Sequence, residues 1–246
     1  MKPLSIADVN TYVNNNIITF HKNRLATLER LRLKDILKRK NPYLFRAKDI
    51  TTGSELVQGF LDAHLSSSEE KSFGDFLEQL AIFVAGKTCA GKKSAATGID
   101  LEFDDDEVHY LVSVKSGPNW GNSSQYKKQK TDFETAIKVL KQNNRQTNVM
   151  AVLGICYGKT KTTYPKGYMK VYGQNFWYLI SKSQDLYTDI IEPLGHKAHQ
   201  HNSAFLRQKT KIVNQFTQEF LNDFCTGGDI DWIKLVRFNS GNLDLE

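Results

Sequence analysis

Cysteine is scarce in this chain of 246 residues: Cys89, Cys156 and Cys225 are odd in number and widely spaced. That spacing excludes a disulfide framework and a cysteine-based zinc site, and predicts buried free thiols in a reducing cytoplasm. Long apolar runs are also missing. None approaches the roughly 18 residues of a membrane span, so no membrane partner is expected. Met1-Lys2-Pro3-Leu4-Ser5 lacks the apolar core of a signal peptide. There is no internal repeat, no low-complexity linker and no Gly-x-Ser-x-Gly elbow to mark a serine nucleophile. What remains is 40% hydrophobic and 24% charged, the composition of a globular chain long enough to bury a real core.

Two partial motifs fail on inspection. Gly86-Lys87-Thr88-Cys89-Ala90-Gly91-Lys92-Lys93 approaches a phosphate-binding P-loop, but Lys93 stands where a magnesium-holding Ser or Thr is needed, and the segment follows a helix instead of a buried strand. It reads as a basic loop whose Lys92 and Lys93 can touch phosphates. His196, His199 and His201 lack the spacing of a zinc motif and have no cysteine nearby, so they read as a polar loop.

Periodicity predicts helices over 5–20, 22–39, 54–65 and from Ser66-Ser67-Ser68-Glu69, read as a helix start, through the stripe Phe73, Phe76, Leu77, Leu80, Ala81 and Val84 to Gly86. Asn41-Pro42 should end the second. The period then shortens. Residues 99–103 and 108–115 read as a hairpin turning at Asp104-Asp105-Asp106-Glu107, 122–143 as a helix, and 147–157 as a buried strand. Short strands follow at 168–173 and 176–180, then a helix over 203–224 closed by Gly227-Gly228. The expected fold is an α/β core, a mixed sheet flanked by helices, with a helical N-terminal region. The expected division is 1–66 for that region and 67–246 for the α/β core.

Net charge is +6, and it is concentrated. Between residues 21 and 40, Lys22, Arg24, Arg30, Arg32, Lys34, Lys38, Arg39 and Lys40 face only Glu29 and Asp35, while Asp223, Asp229, Asp231, Asp244 and Glu246 gather towards the other end. A concentrated basic face suits either a polyanion or solvent.

The chemistry-bearing pair is Asp100, at the start of Leu101-Glu102-Phe103, and Lys115, at the end of Tyr110-Leu111-Val112-Ser113-Val114. Both sit at strand ends of one hairpin. Asp100 can bind a hard divalent cation through oxygen, as can the carbonyl of Val114. Lys115 can orient water and offset charge on a phosphate. Alternation puts Ser113 on the same face as Lys115.

Ile99-Asp100 followed by Ser113-Val114-Lys115 resembles the Asp…acid-x-Lys signature of the PD-(D/E)XK nucleases. The longer string Lys115-Ser116-Gly117-Pro118-Asn119-Trp120-Gly121-Asn122-Ser123-Ser124-Gln125 is similar to the motif of the PmeII-like type II restriction endonucleases. The likeness covers about residues 73–135. It implies a restriction-endonuclease-like core, Mg2+, double-stranded DNA cut on both strands at a short palindromic site to leave 5′-phosphate and 3′-hydroxyl ends, a homodimer, and a cognate methyltransferase in the host. It also implies that Ser113, standing where an acid is usual, is offset by a carboxylate from elsewhere. Glu78 on the preceding helix is first in line, with Asp132, Glu134 and Glu102 as alternatives. The catalytic set is then Asp100, Lys115, Ser113 and Glu78, and the metal set Asp100, Val114 and Glu78. DNA contacts are expected from Lys92, Lys93, Asn119, Asn122, Ser123, Gln125, Lys127 and Lys128, and from Lys159 and Lys161 in the loop after the buried strand. Other readings are a repair or junction-cleaving nuclease, and a basic DNA-binding protein with a decayed site.

Overall fold

The structure, a computed structural model, describes residues 2–143 and 148–242. It has a five-stranded mixed sheet in the order β1-β2-β3-β4-β5, formed by Lys92–Lys93, Leu101–Asp105, Val108–Lys115, Asn148–Ile155 and Met169–Tyr172. The β1–β2 and β2–β3 pairs are antiparallel, while the β3–β4 and β4–β5 pairs are parallel. Parallel pairing requires a crossover, and α5 (Ser123–Asn143) provides the one between β3 and β4. Strand alternation settles the layers. Ser113 contacts α5 through Gln129, whereas Ser116 lies against Gly74 of α4 (Gly53–Thr88). The two helices therefore cover opposite faces of the sheet.

Contacts divide the chain into two compact units, Met1–Ile18 with Phe73–His196 and Thr19–Ser72 with Lys197–Glu246. The first holds the sheet and a core of Ile99, Leu111, Phe133, Ala151, Leu153, Ile155 and Tyr172. The second is built from the later part of α1 (Ile6–Arg30), α2 (Leu33–Leu37), α3 (Pro42–Ala47) and the start of α4, with α9 (Ala198–Phe224) and α10 (Trp232–Ser240). Its core centres on Leu28, Phe45, Phe60, Phe216 and Phe220. Residue 66, the expected boundary, lies inside the continuous α4.

Several elements differ from their expected form. The first helix continues to Arg30, and Asn41 begins a helix: its side chain accepts from Leu44 N at 3.2 Å, and Pro42 fills the first turn, where its missing N–H costs nothing. The serines near residue 66 do not start a helix. Ser67 Oγ donates back to Ala63 O at 3.0 Å, and Glu69 pairs with Arg24 at 2.7 Å, so α4 passes straight through. Residues 176–180 belong to α6 (Gln174–Ser181), not to a strand; Phe176, Trp177, Ile180 and Ser181 are its buried side. A short apolar run fits either period, and here the 3.6-residue one wins. The α9 helix begins at Ala198, so His199 and His201 are helical, and His201 stacks on His21 at 4.5 Å. Gly227 and Gly228, both at positive φ, turn a small hairpin, β6 (Cys225–Thr226) and β7 (Asp229–Ile230), before α10. Residue 147 of the expected buried strand, and Asp244 and Glu246, lie outside the described residues.

The three cysteines are free; Cys156 is buried, and Cys89 and Cys225 are half-buried. No helix among the described residues is long and apolar enough to cross a membrane. The basic segment is partly spent on the fold. Arg24 pairs with Glu69, Lys34 with Asp223 at 2.9 Å, and Lys40 donates to Ala63 O. Lys22, Arg30, Arg32 and Arg39 stay exposed.

Candidate active site

Asp100 stands one residue before β2, and its backbone N–H still donates to Val112 O at 2.9 Å, so its backbone is held by the ladder. One carboxylate oxygen is crowded. Oδ2 accepts from Val114 N at 2.7 Å, lies 3.2 Å from Ser113 Oγ, and sits 3.6 Å from Lys115 Nζ. Oδ1 takes part in none of these contacts and is free to face a ligand. Because β2 begins opposite Val112, no strand lies beside Val114 on that edge, where its N–H already points at Asp100. The Val114 carbonyl opens to the same side.

Glu78, from α4, joins this pair. Burial raises its pKa, and the charge of Asp100 raises it further, while Lys93 and Lys115 oppose both. Lys93 Nζ is 4.0 Å from its carboxylate. Buried Cys156, whose thiol pKa is pushed up chiefly by burial, feels both Glu78 and Lys115. The alternatives are engaged elsewhere. Glu102 pairs with Lys92 at 3.2 Å and accepts from Ser94 Oγ, Asp132 pairs with Lys128 at 2.6 Å, and Glu134 pairs with Lys130 at 3.6 Å.

Two carboxylates close enough for the charge of Asp100 to raise the Glu78 pKa, beside an open main-chain carbonyl, make a hard-oxygen donor set suited to a divalent cation. Among the described residues no three His, Cys, Asp or Glu side chains cluster as a metal centre.

The string after Lys115 shapes the loop into α5. Gly117 packs so closely on Tyr157 that a Cβ would overlap its ring. Trp120 lies beside Lys115, with Nζ 5.5 Å from its ring centre, and packs at a tilt against Tyr126; its indole N–H is buried and makes no hydrogen bond. Asn122 and Gln125 cap each other's backbone: Gln125 N donates to Asn122 Oδ1 at 3.1 Å and Asn122 N to Gln125 Oε1 at 2.8 Å. This reciprocal capping box occupies two of the expected DNA contacts. Asn122→Ala should cost about 1 kcal/mol, lowering the melting temperature by roughly 2–4 °C. Calorimetric melting checks this; an unchanged melting temperature would count against the cap.

Asn119, Ser123 and Lys127 are exposed on the same side of the chain's path into α5. Lys159 and Lys161 line a separate cleft of about 1080 Å³ with Phe73, Tyr157, Trp177 and Tyr187. That cleft does not include Asp100 or Lys115. The pair lies instead at the open end of the β2–β3 hairpin. Sequence reasoning missed Gln129. It is buried on α5, with Ser113 Oγ at 3.0 Å from its Oε1 and its Nε2 donating to Gly98 O at 3.0 Å. Only its place on the inner side of a helix could have signalled it.

A mixed sheet between helices, with an acid and a lysine meeting at the open end of its central hairpin, defines a restriction-endonuclease-like α/β fold. The type II restriction endonuclease EcoO109I family matches residues 7–202, and the chain belongs to that family. It is accordingly a nuclease acting on DNA. No curated protein sequence matches it.

Proposed function

We propose that this chain is a type II, PD-(D/E)XK restriction endonuclease of the PmeII-like kind, making Mg2+-dependent double-strand cuts at a short palindromic site. The observation that carries the reading is the approach of Lys115 Nζ to 3.6 Å from Asp100 Oδ2, with Glu78 close enough to feel both charges. Asp100 through Oδ1, Glu78 and the Val114 carbonyl would hold Mg2+. The bound cation would supply Lewis-acid stabilisation of charge on the scissile phosphate. Lys115 would orient the attacking water and offset charge on the non-bridging oxygens. In-line attack leaves a 5′-phosphate and a 3′-hydroxyl. Lys92, Lys93, Lys127, Lys128, Lys159 and Lys161 would contact phosphates or base edges. Two copies would present the same surfaces to the two halves of a palindrome, and a cognate methyltransferase would protect the host's own sites.

Digestion of plasmid DNA tests this. Discrete bands that require Mg2+ or Mn2+, whose sequenced ends share one short palindrome, are the expected result. A smear, cutting confined to branched DNA, or binding without any cutting would overturn it.

A further inference from the structure

The position two residues before Lys115 carries a buried serine, and the structure shows what has been built around it. Ser113 is fully buried, and its hydroxyl has two acceptors in reach, Asp100 Oδ2 at 3.2 Å and Gln129 Oε1 at 3.0 Å. The orientation of Gln129 is fixed, because its Nε2 donates to Gly98 O, and a carbonyl oxygen can only accept. Its Oε1 must then face Ser113. A serine hydroxyl has one proton, so three oxygens share it: Asp100 Oδ2, Ser113 Oγ and Gln129 Oε1. While Asp100 is bare, its charged oxygen is the stronger acceptor. When a cation withdraws charge from Asp100, the hydroxyl can turn to Gln129 without leaving a buried donor unpaired.

One amide therefore ties together the two strands that carry the reactive pair. Gly98 lies two residues before Asp100, and Ser113 two before Lys115. The turn at Gly98 adopts φ +74°, and a Cβ there would overlap the Asp132 carboxylate, 2.8 Å from its Cγ. The α5 helix thus holds this turn from two sides, through Asp132 and Gln129. Gln129 is too deeply buried to meet DNA.

We propose that Gln129 is a positioning residue: through Ser113 and Gly98 it sets the place of Asp100. The inference rests on the nuclease reading above.

Gln129→Met keeps the volume and removes both polar ends. Ser113→Ala removes only the link to Asp100 and leaves the Gln129–Gly98 bond. Each is measured for steady-state cleavage, for Mn2+ binding by titration calorimetry without DNA, and for metal-free DNA binding by gel shift. Each should lower kcat about 10- to 100-fold and weaken Mn2+ binding about tenfold, the range for partners that orient metal ligands. KM and metal-free DNA affinity should stay within about twofold. If kcat and DNA affinity fall and KM rises together in both variants, Gln129 is merely structural and the proposal is overturned. It is also overturned if the unmodified protein cuts and both variants match it. If the unmodified protein neither cuts nor binds Mn2+, the nuclease reading fails and this role fails with it.

Discussion

Asp100→Asn is expected to lower single-turnover DNA cleavage by about three orders of magnitude, some 4 kcal/mol of transition-state stabilisation. The substitution keeps the shape and an oxygen able to accept from Val114 N, which makes the shortest contact to Asp100 at 2.7 Å. The fold should therefore stand. What disappears is the negative charge that recruits a cation and faces Lys115 at 3.6 Å. Metal-free DNA affinity should hold or improve, because one repulsive charge leaves a surface that meets phosphates. Lys115→Ala should lose cleavage to a similar extent with a modest weakening of binding. Cleavage by Asp100→Asn within tenfold of the unmodified protein would remove Asp100 from the reaction. Loss of both cleavage and binding would show that the site had collapsed.

That pair was legible because a hairpin has little freedom. Leu101 and Phe103 point one way, the chain turns at Asp106-Glu107 within the expected Asp104 to Glu107 tip, and once Leu101 is set opposite Val112 the places of Asp100 and Lys115 follow. The α5 helix was legible to within a residue because Asn122 and Gln125 carry a capping signal. Elsewhere local signals misled. The Ser66-Ser67-Ser68 run has the composition of a cap, yet in mid-helix a serine can close on the carbonyl four residues back, as Ser67 does. The run Phe176–Ile180 is too short for its period to decide between helix and strand, and its burial against the first unit's sheet decides it instead. Gly227-Gly228 signals a reversal of the chain without saying whether a strand follows.

The rest of the site was hidden for a different reason. Gln129 and Ser113 are 16 residues apart and on different elements. Their meeting depends on how α5 is rotated on the sheet, which is set by Phe133 and Ala136 packing against Leu111 and Leu153. No local pattern encodes that angle. The same rotation turns Asp132 towards Gly98. By contrast, Glu78 could be proposed from its helix because small neighbours flank it, and Gly74 does allow α4 to approach Ser116 closely.

Glu78→Gln is the variant whose two effects should oppose each other. Burial chiefly, then the charge of Asp100, raise the Glu78 pKa above 4.5, against the pull of Lys93 and Lys115. Folding therefore disfavours the ionised form, and this group's contribution to stability falls as pH rises from its unfolded value through its folded one. A glutamine carries no such penalty. At pH 7.5 the variant should melt a few degrees higher than the unmodified protein, and the gap should close as the pH drops below the ordinary carboxylate range, where Glu78 is protonated. Cleavage should fall about 100-fold or more, since one of two cation-binding carboxylates is gone. Added Mn2+ should reverse the ranking, because a cation that binds the folded state stabilises it in proportion to affinity, and the unmodified protein binds more tightly. Scanning calorimetry at two pH values, with and without Mn2+, separates these effects. A variant that melts lower at neutral pH, or that cleaves at the unmodified rate, would show that Glu78 is an ordinary surface acid, and the carboxylate absent at position 113 would then have to come from elsewhere.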